Sequence, residues 1–193
     1  GDLLTNNWNQ SFDLDKNEEL RSVRRKGNLM YAVGKSETPP PGSLRKPVIY
    51  KTDLNGNPVD LWRIVVPSAI GEPSLEAADI AFDGDSMVIA LQGRFDTAAS
   101  LLTKQLALVK VAPNGQVLWL HRYTIDDLNA VTVNNIVQSL IAGDDGYYVL
   151  TREFLFKTDK NGKFSWIRHT YGRHEAGRNL VAEQGNAVFL VGK

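Results

Sequence analysis

Leu155-Phe-Lys-Thr-Asp-Lys-Asn-Gly-Lys-Phe-Ser-Trp166 reads as two alternating apolar runs broken by Asn-Gly, and the same phrase occurs twice more in the chain. The earlier copies are Leu108-Val-Lys-Val-Ala-Pro-Asn-Gly-Gln-Val-Leu-Trp119 and Val48-Ile-Tyr-Lys-Thr-Asp-Leu-Asn-Gly-Asn57, the latter followed by Trp62. Alternation with period two sets every second side chain on one face of a strand, and Asn-Gly accepts the positive φ of a type I′ turn. Each copy therefore predicts a β-hairpin. Lys51, Lys110 and Lys157 precede the turns, and the tryptophans offer large apolar area to sheet packing.

A second kind of segment alternates with the first, over residues 23–34, 80–91, 141–150 and 181–192. These are also hairpins, with turns at Lys26-Gly27-Asn28, Asp83-Gly84-Asp85, Asp144-Asp145-Gly146 and Gln184-Gly185-Asn186, where the residues tolerate positive φ. Joining one hairpin of each kind gives a four-stranded meander. The Asn-Gly turns at Asn55, Asn114 and Asn161 recur at roughly 50-residue intervals, the length of one propeller blade.

The expected fold is all-β: a β-propeller of four-stranded antiparallel blades in one domain over 1–193. Three blades are complete, at about 20–66, 75–123 and 133–171, and seam segments 8–12 and 177–193 supply a partial or shared fourth. Helical patterns are limited to a short one over 97–104 and an ambiguous one over 15–21. Either the strand at Trp8 to Phe12 and the last hairpin share a blade that closes the ring, or the chain is a piece of a longer one. The finish at Val191-Gly192-Lys193, directly after a strand, favours the piece.

The chain resembles the bacterial β-propeller repeats of the SBBP type and the related quinoprotein-like and delta-60 repeats. The residues that carry the resemblance are Gly27-Asn-Leu-Met-Tyr-Ala-Val-Gly34 with Lys51-Thr-Asp-Leu-Asn-Gly-Asn57 and Trp62, echoed by Gly146-Tyr-Tyr-Val-Leu150 with Lys157-Thr-Asp-Lys-Asn-Gly162 and Trp166. It spans nearly the whole chain. Val111-Ala-Pro in place of Thr-Asp before the second Asn-Gly, and the insertion over 36–46, depart from the pattern. The resemblance implies an extracytoplasmic setting (periplasmic, outer-surface or secreted) and an interaction platform, with a minority of such proteins being enzymes. It assigns no functional residue, since the matching positions are turn and core residues.

Composition excludes several alternatives. Twenty-two basic against 22 acidic residues give no net charge, so no broad electrostatic surface for nucleic acid is expected. With 0 cysteines, disulfides, thiol chemistry and cysteine metal sites are ruled out. No apolar run approaches the roughly 20 residues that span a bilayer.

Meander geometry places the tight turns on one end of the sheets and the longer, variable connections on the other. Loops on a rigid scaffold commonly carry function, so the variable end is the expected binding face, although lengthening a loop costs little entropy and insertions are also simply tolerated there. Its candidate ligand-binding residues are Arg45, Arg94, Phe95, Tyr171, Arg173 and His174, cationic and aromatic groups of the sort enriched at protein interfaces and sugar sites; packed loop anchors are the competing reading.

Asp53-Leu-Asn-Gly-Asn-Pro-Val-Asp60 superficially resembles a calcium loop, but its glycine comes fourth rather than sixth, which predicts a plain turn and no metal. His121 and His169, read as one position of successive outer strands, are expected to be solvated or packed. No nucleophile triad, phosphate-cradling loop or cofactor motif stands in a credible context. The expectation is a noncatalytic module binding a protein partner, with a glycan-binding or carbohydrate-active propeller as the alternative and a redox quinoprotein, on repeat kinship alone, as the third.

Overall fold

The structure, a computed structural model, describes residues 17–37, 45–65, 74–94, 105–123, 136–151, 154–169, 179–184 and 187–191. The first sheet holds β1 (Asn17–Lys26), β2 (Leu29–Glu37), β3 (Arg45–Asp53) and β4 (Pro58–Arg63). The second holds β5 (Ser74–Asp83), β6 (Ser86–Arg94), β7 (Gln105–Val111) and β8 (Val117–Tyr123), and the third β9 (Val137–Ala142), β10 (Tyr147–Thr151), β11 (Phe154–Thr158) and β12 (Phe164–His169). A hairpin of β13 (Asn179–Gln184) and β14 (Ala187–Val191) follows. Each four-stranded sheet is an antiparallel meander in chain order, consistent with propeller-like blades.

The sheets pack face to face in succession. Tyr31, Val33, Ile49 and Ile64 of the first sheet meet Ile80, Met87, Ile89, Val109 and Val111 of the second. The opposite face of the second sheet, with Val88, Ala90, Leu106 and Leu108, meets Leu140, Tyr147, Val149 and Phe156 of the third. Covering both faces explains why Met87-Val-Ile-Ala-Leu91 is apolar without alternation and entirely buried. Each such aliphatic side chain contributes about 1.5–3 kcal/mol by leaving water. The first strands β1, β5, β9 and β13 neighbour one another in that order, so the sheets converge along their first-strand edges.

A second repeated device crosses each seam. A Cβ placed on Gly115 would stand 2.6 Å from the Trp62 ring, and one on Gly162 would stand 2.8 Å from Trp119 and 2.7 Å from His121. The tryptophan of one fourth strand thus lies on the turn glycine of the next sheet, a close approach that only glycine permits.

Three expectations change. The Asn-Gly loops have three residues rather than two: Gly56 N donates to Asp53 O (3.2 Å) and Asp53 N to Asn57 O (3.0 Å), with Gly56 left-handed at φ 80°. The turn from Ala112 to Gln116 and the turn from Asp159 to Lys163 repeat this pattern. All three loops end on a left-handed glycine, Gly56, Gly115 or Gly162; in two of them an aspartate reinforces the turn, Asp53 accepting the Asn55 and Asn57 amides and Asp159 those of Asn161 and Lys163. Such a loop forces a bulge just beyond it, which leaves Val59 and Leu118 unpaired and half exposed.

Residues 17–21 belong to β1 rather than to a helix, because their backbone pairs with β2 from Asn17↔Glu37 onward. His121 and His169 are not equivalent in register: Leu108 faces His121, whereas its counterpart Leu155 faces Arg168. Arg168 takes the place of His121, stacking on Trp166 at 5.8 Å as His121 stacks on Trp119 at 5.4 Å. The expected strand at 8–12 and helix at 97–104 lie outside the described residues.

Candidate functional site

Every first strand is interrupted at the same place. The ladder skips one residue at Arg21 in β1, Ala78 in β5, Gln138 in β9 and Val181 in β13. The bulge turns the next residue inward across the seams, and in β5 that residue is Asp79, whose side chain is 3% exposed. Its carboxylate accepts Ser22 Oγ (2.5 Å) and Arg24 Nη2 (3.0 Å) from the first sheet, Ile80 N (2.9 Å) from its own strand and Leu140 N (2.8 Å) from the third. One buried anion thereby ties three sheets together, with enough donors to offset its desolvation.

Glu76 lies one turn of the pleat nearer the loop end and is 6% exposed. Gln92, its cross-strand partner, donates to Glu76 Oε1 at 2.6 Å while its own carbonyl accepts Val137 N at 2.7 Å. Over the buried carboxylate stand two guanidinium groups, Arg21 at 3.5 Å and Arg45 at 3.7 Å, with side chains 43% and 45% exposed. Arg21 also pairs with Glu19 (3.0 Å), which Lys35 holds from the neighbouring strand (3.0 Å). That hydrogen bond from Lys35 keeps the Glu19 carboxyl below its usual range. Guanidinium groups held in this way and still half exposed can take a carboxylate or another planar oxyanion.

Of the residues expected at the binding face, Arg45 and Arg94 are described, and Ser74 links their strands. The Arg45 amide donates to Ser74 Oγ (3.2 Å), and Ser74 is the ladder partner of Arg94. Both sit on strand ends rather than in loops, because Glu37 pairs with Arg45 and Ser74 with Arg94, extending each hairpin. Phe95, Tyr171, Arg173 and His174 lie outside the described residues. Arg21, Glu76 and Gln92 were missed. The visible signal was Leu75-Glu-Ala-Ala-Asp79, two acids in a strand otherwise destined for the core.

The turn end is built differently. Asp83 accepts Lys110 Nζ (2.7 Å), Lys160 Nζ (2.7 Å) and the Tyr147 hydroxyl (2.7 Å). Burial alone would raise the Asp83 carboxyl, but these hydrogen bonds outweigh it and hold it well below the carboxylate range. Burial, reinforced by Asp83, pushes the Tyr147 hydroxyl strongly upward. Asp53, the acid of the calcium-like stretch, spends its oxygens on turn amides and on Asn57 Nδ2 (2.8 Å). Among the described residues no helix is long and apolar enough to cross a membrane.

These features define a class: an all-β protein of repeated four-stranded antiparallel sheets, stacked in succession and tied by polar groups across each seam. No protein-family model and no curated protein matches the chain.

Proposed function

We propose that the stacked sheets are blades of a β-propeller and that the chain is a noncatalytic interaction module, which grips an acidic segment of a protein partner through its loop end. The observation that carries this reading is the pair Arg21 and Arg45, half exposed and fixed above buried Glu76. Anchoring a guanidinium before the partner arrives lowers the ordering cost of binding. At the opposite end the lysines paired with Asp83 are less exposed, 18% for Lys110 and 35% for Lys160. The repeat resemblance supports a partner in the bacterial envelope or exterior. The glycan alternative rested on aromatic and cationic residues of which Phe95, Tyr171, Arg173 and His174 lie outside the described ones, and no observation favours it.

The test is chemical cross-linking of the full chain to envelope proteins, comparing Arg21→Gln with Arg45→Gln against Arg25→Gln at the exposed turn end. A partner held by charge should be captured about tenfold less by the loop-end variant and less in high salt, with capture by Arg25→Gln unchanged. Equal capture by all three chains, each melting normally, would discard the reading.

A further inference from the structure

Asn55, Asn114 and Asn161 are each followed by glycine, and all three stand exposed in the same three-residue loop. Glycine leaves the backbone nitrogen after an asparagine unhindered, which spontaneous deamidation needs. The second turn differs from the other two at the place where that reaction occurs. In the first and third, Asp53 Oδ1 accepts Asn57 N at 2.9 Å and Asp159 Oδ1 accepts Lys163 N at 2.8 Å. In the second, Ala112 stands at the aspartate's position, and the equivalent amide, Gln116 N, donates instead to Asn114 Oδ1 at 3.1 Å. Gly115 is also only half-buried, whereas Gly56 and Gly162 are buried.

We infer that Asn114 is a modification site, converted to aspartate and isoaspartate without an enzyme because its turn lacks the acid. The Gly115 nitrogen, freed from Ala112 O (2.9 Å) and deprotonated by hydroxide, attacks Asn114 Cγ. A bond forms between that nitrogen and Cγ, and the electron pair of the carbonyl moves onto Oδ1, where the Gln116 amide already donates. This hydrogen bond polarises the side-chain carbonyl and stabilises the oxyanion, as an oxyanion-hole donor does. The pair then returns to re-form the carbonyl, the Cγ–Nδ2 bond breaks, and ammonia leaves with a proton taken from water. Water opens the resulting cyclic imide at either carbonyl, and nothing is oxidised or reduced. At Asn55 and Asn161 the same donor is occupied, and the carboxylate on it opposes a second negative charge nearby.

Isoaspartate adds one methylene to the backbone between residues 114 and 115. The Trp62 ring lies so close to Gly115 that an added Cβ would stand 2.6 Å from it, and lengthening the chain there loosens the first seam. The turn lies at the end of the sheets opposite Arg21 and Arg45, so this inference and the binding proposal stand or fall separately.

Incubating the full chain at mildly alkaline pH and mapping its peptides by mass spectrometry, with electron-transfer fragmentation to separate isoaspartate from aspartate, tests it. In the folded chain Asn114 should convert about tenfold faster than Asn55 or Asn161, and in urea the three rates should draw together. Ala112→Asp should slow Asn114 to the rate of its counterparts, and Asp159→Ala should speed Asn161. Equal rates in the folded chain, a lead for Asn114 that persists in urea, or no response of Asn114 to Ala112→Asp overturns the inference. The comparison of the three sites in the unaltered chain holds even if a variant fails to fold. As conversion proceeds the urea midpoint of the folded chain should fall, and a fixed midpoint overturns the link to Trp62.

Discussion

At the seam between the first and second sheets Trp62 lies on Gly115, and at the seam between the second and third Trp119 lies on Gly162. The apolar devices match, yet the polar ones at the turn end do not. Lys26 reaches Gly84 O and the 92%-exposed Asp85 across the first seam. Across the second, Asp83 is 19% exposed and gathers Lys110, Lys160 and Tyr147. What repeats is therefore what the backbone geometry demands: alternation, a turn glycine and a tryptophan to cover it. Polar ties are added seam by seam, wherever a bulge or turn happens to place an acid.

The strongest way to break both seams at once is Asp79→Ala, since the Asp79 carboxylate bonds to all three sheets. It strands the Leu140 amide and the Ser22 and Arg24 donors, and should cost about 3–5 kcal/mol in chemical denaturation. A loss below about 1 kcal/mol would mean that the seams hold by apolar contact alone.

Gly162→Ala sharpens the matching half of the comparison. The new methyl meets both a left-handed backbone and the Trp119 and His121 rings, so we expect a loss of about 2–3 kcal/mol. In a Trp119→Ala background the clash with that ring is relieved while His121 stays 2.7 Å away, so the added cost should fall but remain above the backbone strain of about 1 kcal/mol. A double-mutant cycle measures the difference. Additive losses would show that the tryptophan does not rest on the glycine.

The repeated half of the structure was legible in the sequence because it is local. Alternation, Asn-Gly and tryptophan can be read within a dozen residues, as in 155–166, and all three hairpins of that kind formed. The three-residue loop was misread because Asn-Gly serves both loop lengths, and the Ala112 to Gln116 turn takes the longer one without the carboxylate that reinforces it at Asp53. The site was less legible. Arg45 was found for its loop position and turned out to matter for its height above Glu76. Glu76, Gln92 and Val137 are joined by a register that no stretch of sequence contains, and Arg21 was hidden in a segment whose pattern suits helix or strand.

The unmatched half can be broken by acid. Asp83 has a folded pKa below its unfolded value of about 3.9, so its contribution is fully present above that pH and is lost as pH falls through the folded value. Wild-type stability should therefore drop below about pH 4, and Asp83→Asn should flatten that limb while costing about 1–2 kcal/mol at neutral pH. Urea midpoints measured from neutral pH down to about pH 2 give the comparison. Identical acid limbs would remove Asp83 from the second seam.

Lys26→Ala probes the first seam and should do least. Its partner carboxylate on Asp85 is almost wholly in water, where an ion pair is worth about 0–1 kcal/mol and salt screens it further. The amino group also rests 5.3 Å from the centre of the Phe82 ring, a contact of similar size at an exposed site. We expect a loss of about 0.5 kcal/mol, nearly abolished in high salt, against a clearly larger loss for Lys160→Ala at the second seam. Equal losses for the two lysines would erase the asymmetry, because both seams would then depend on their turn-end charges to the same degree and the depth of Asp83 would have no energetic consequence.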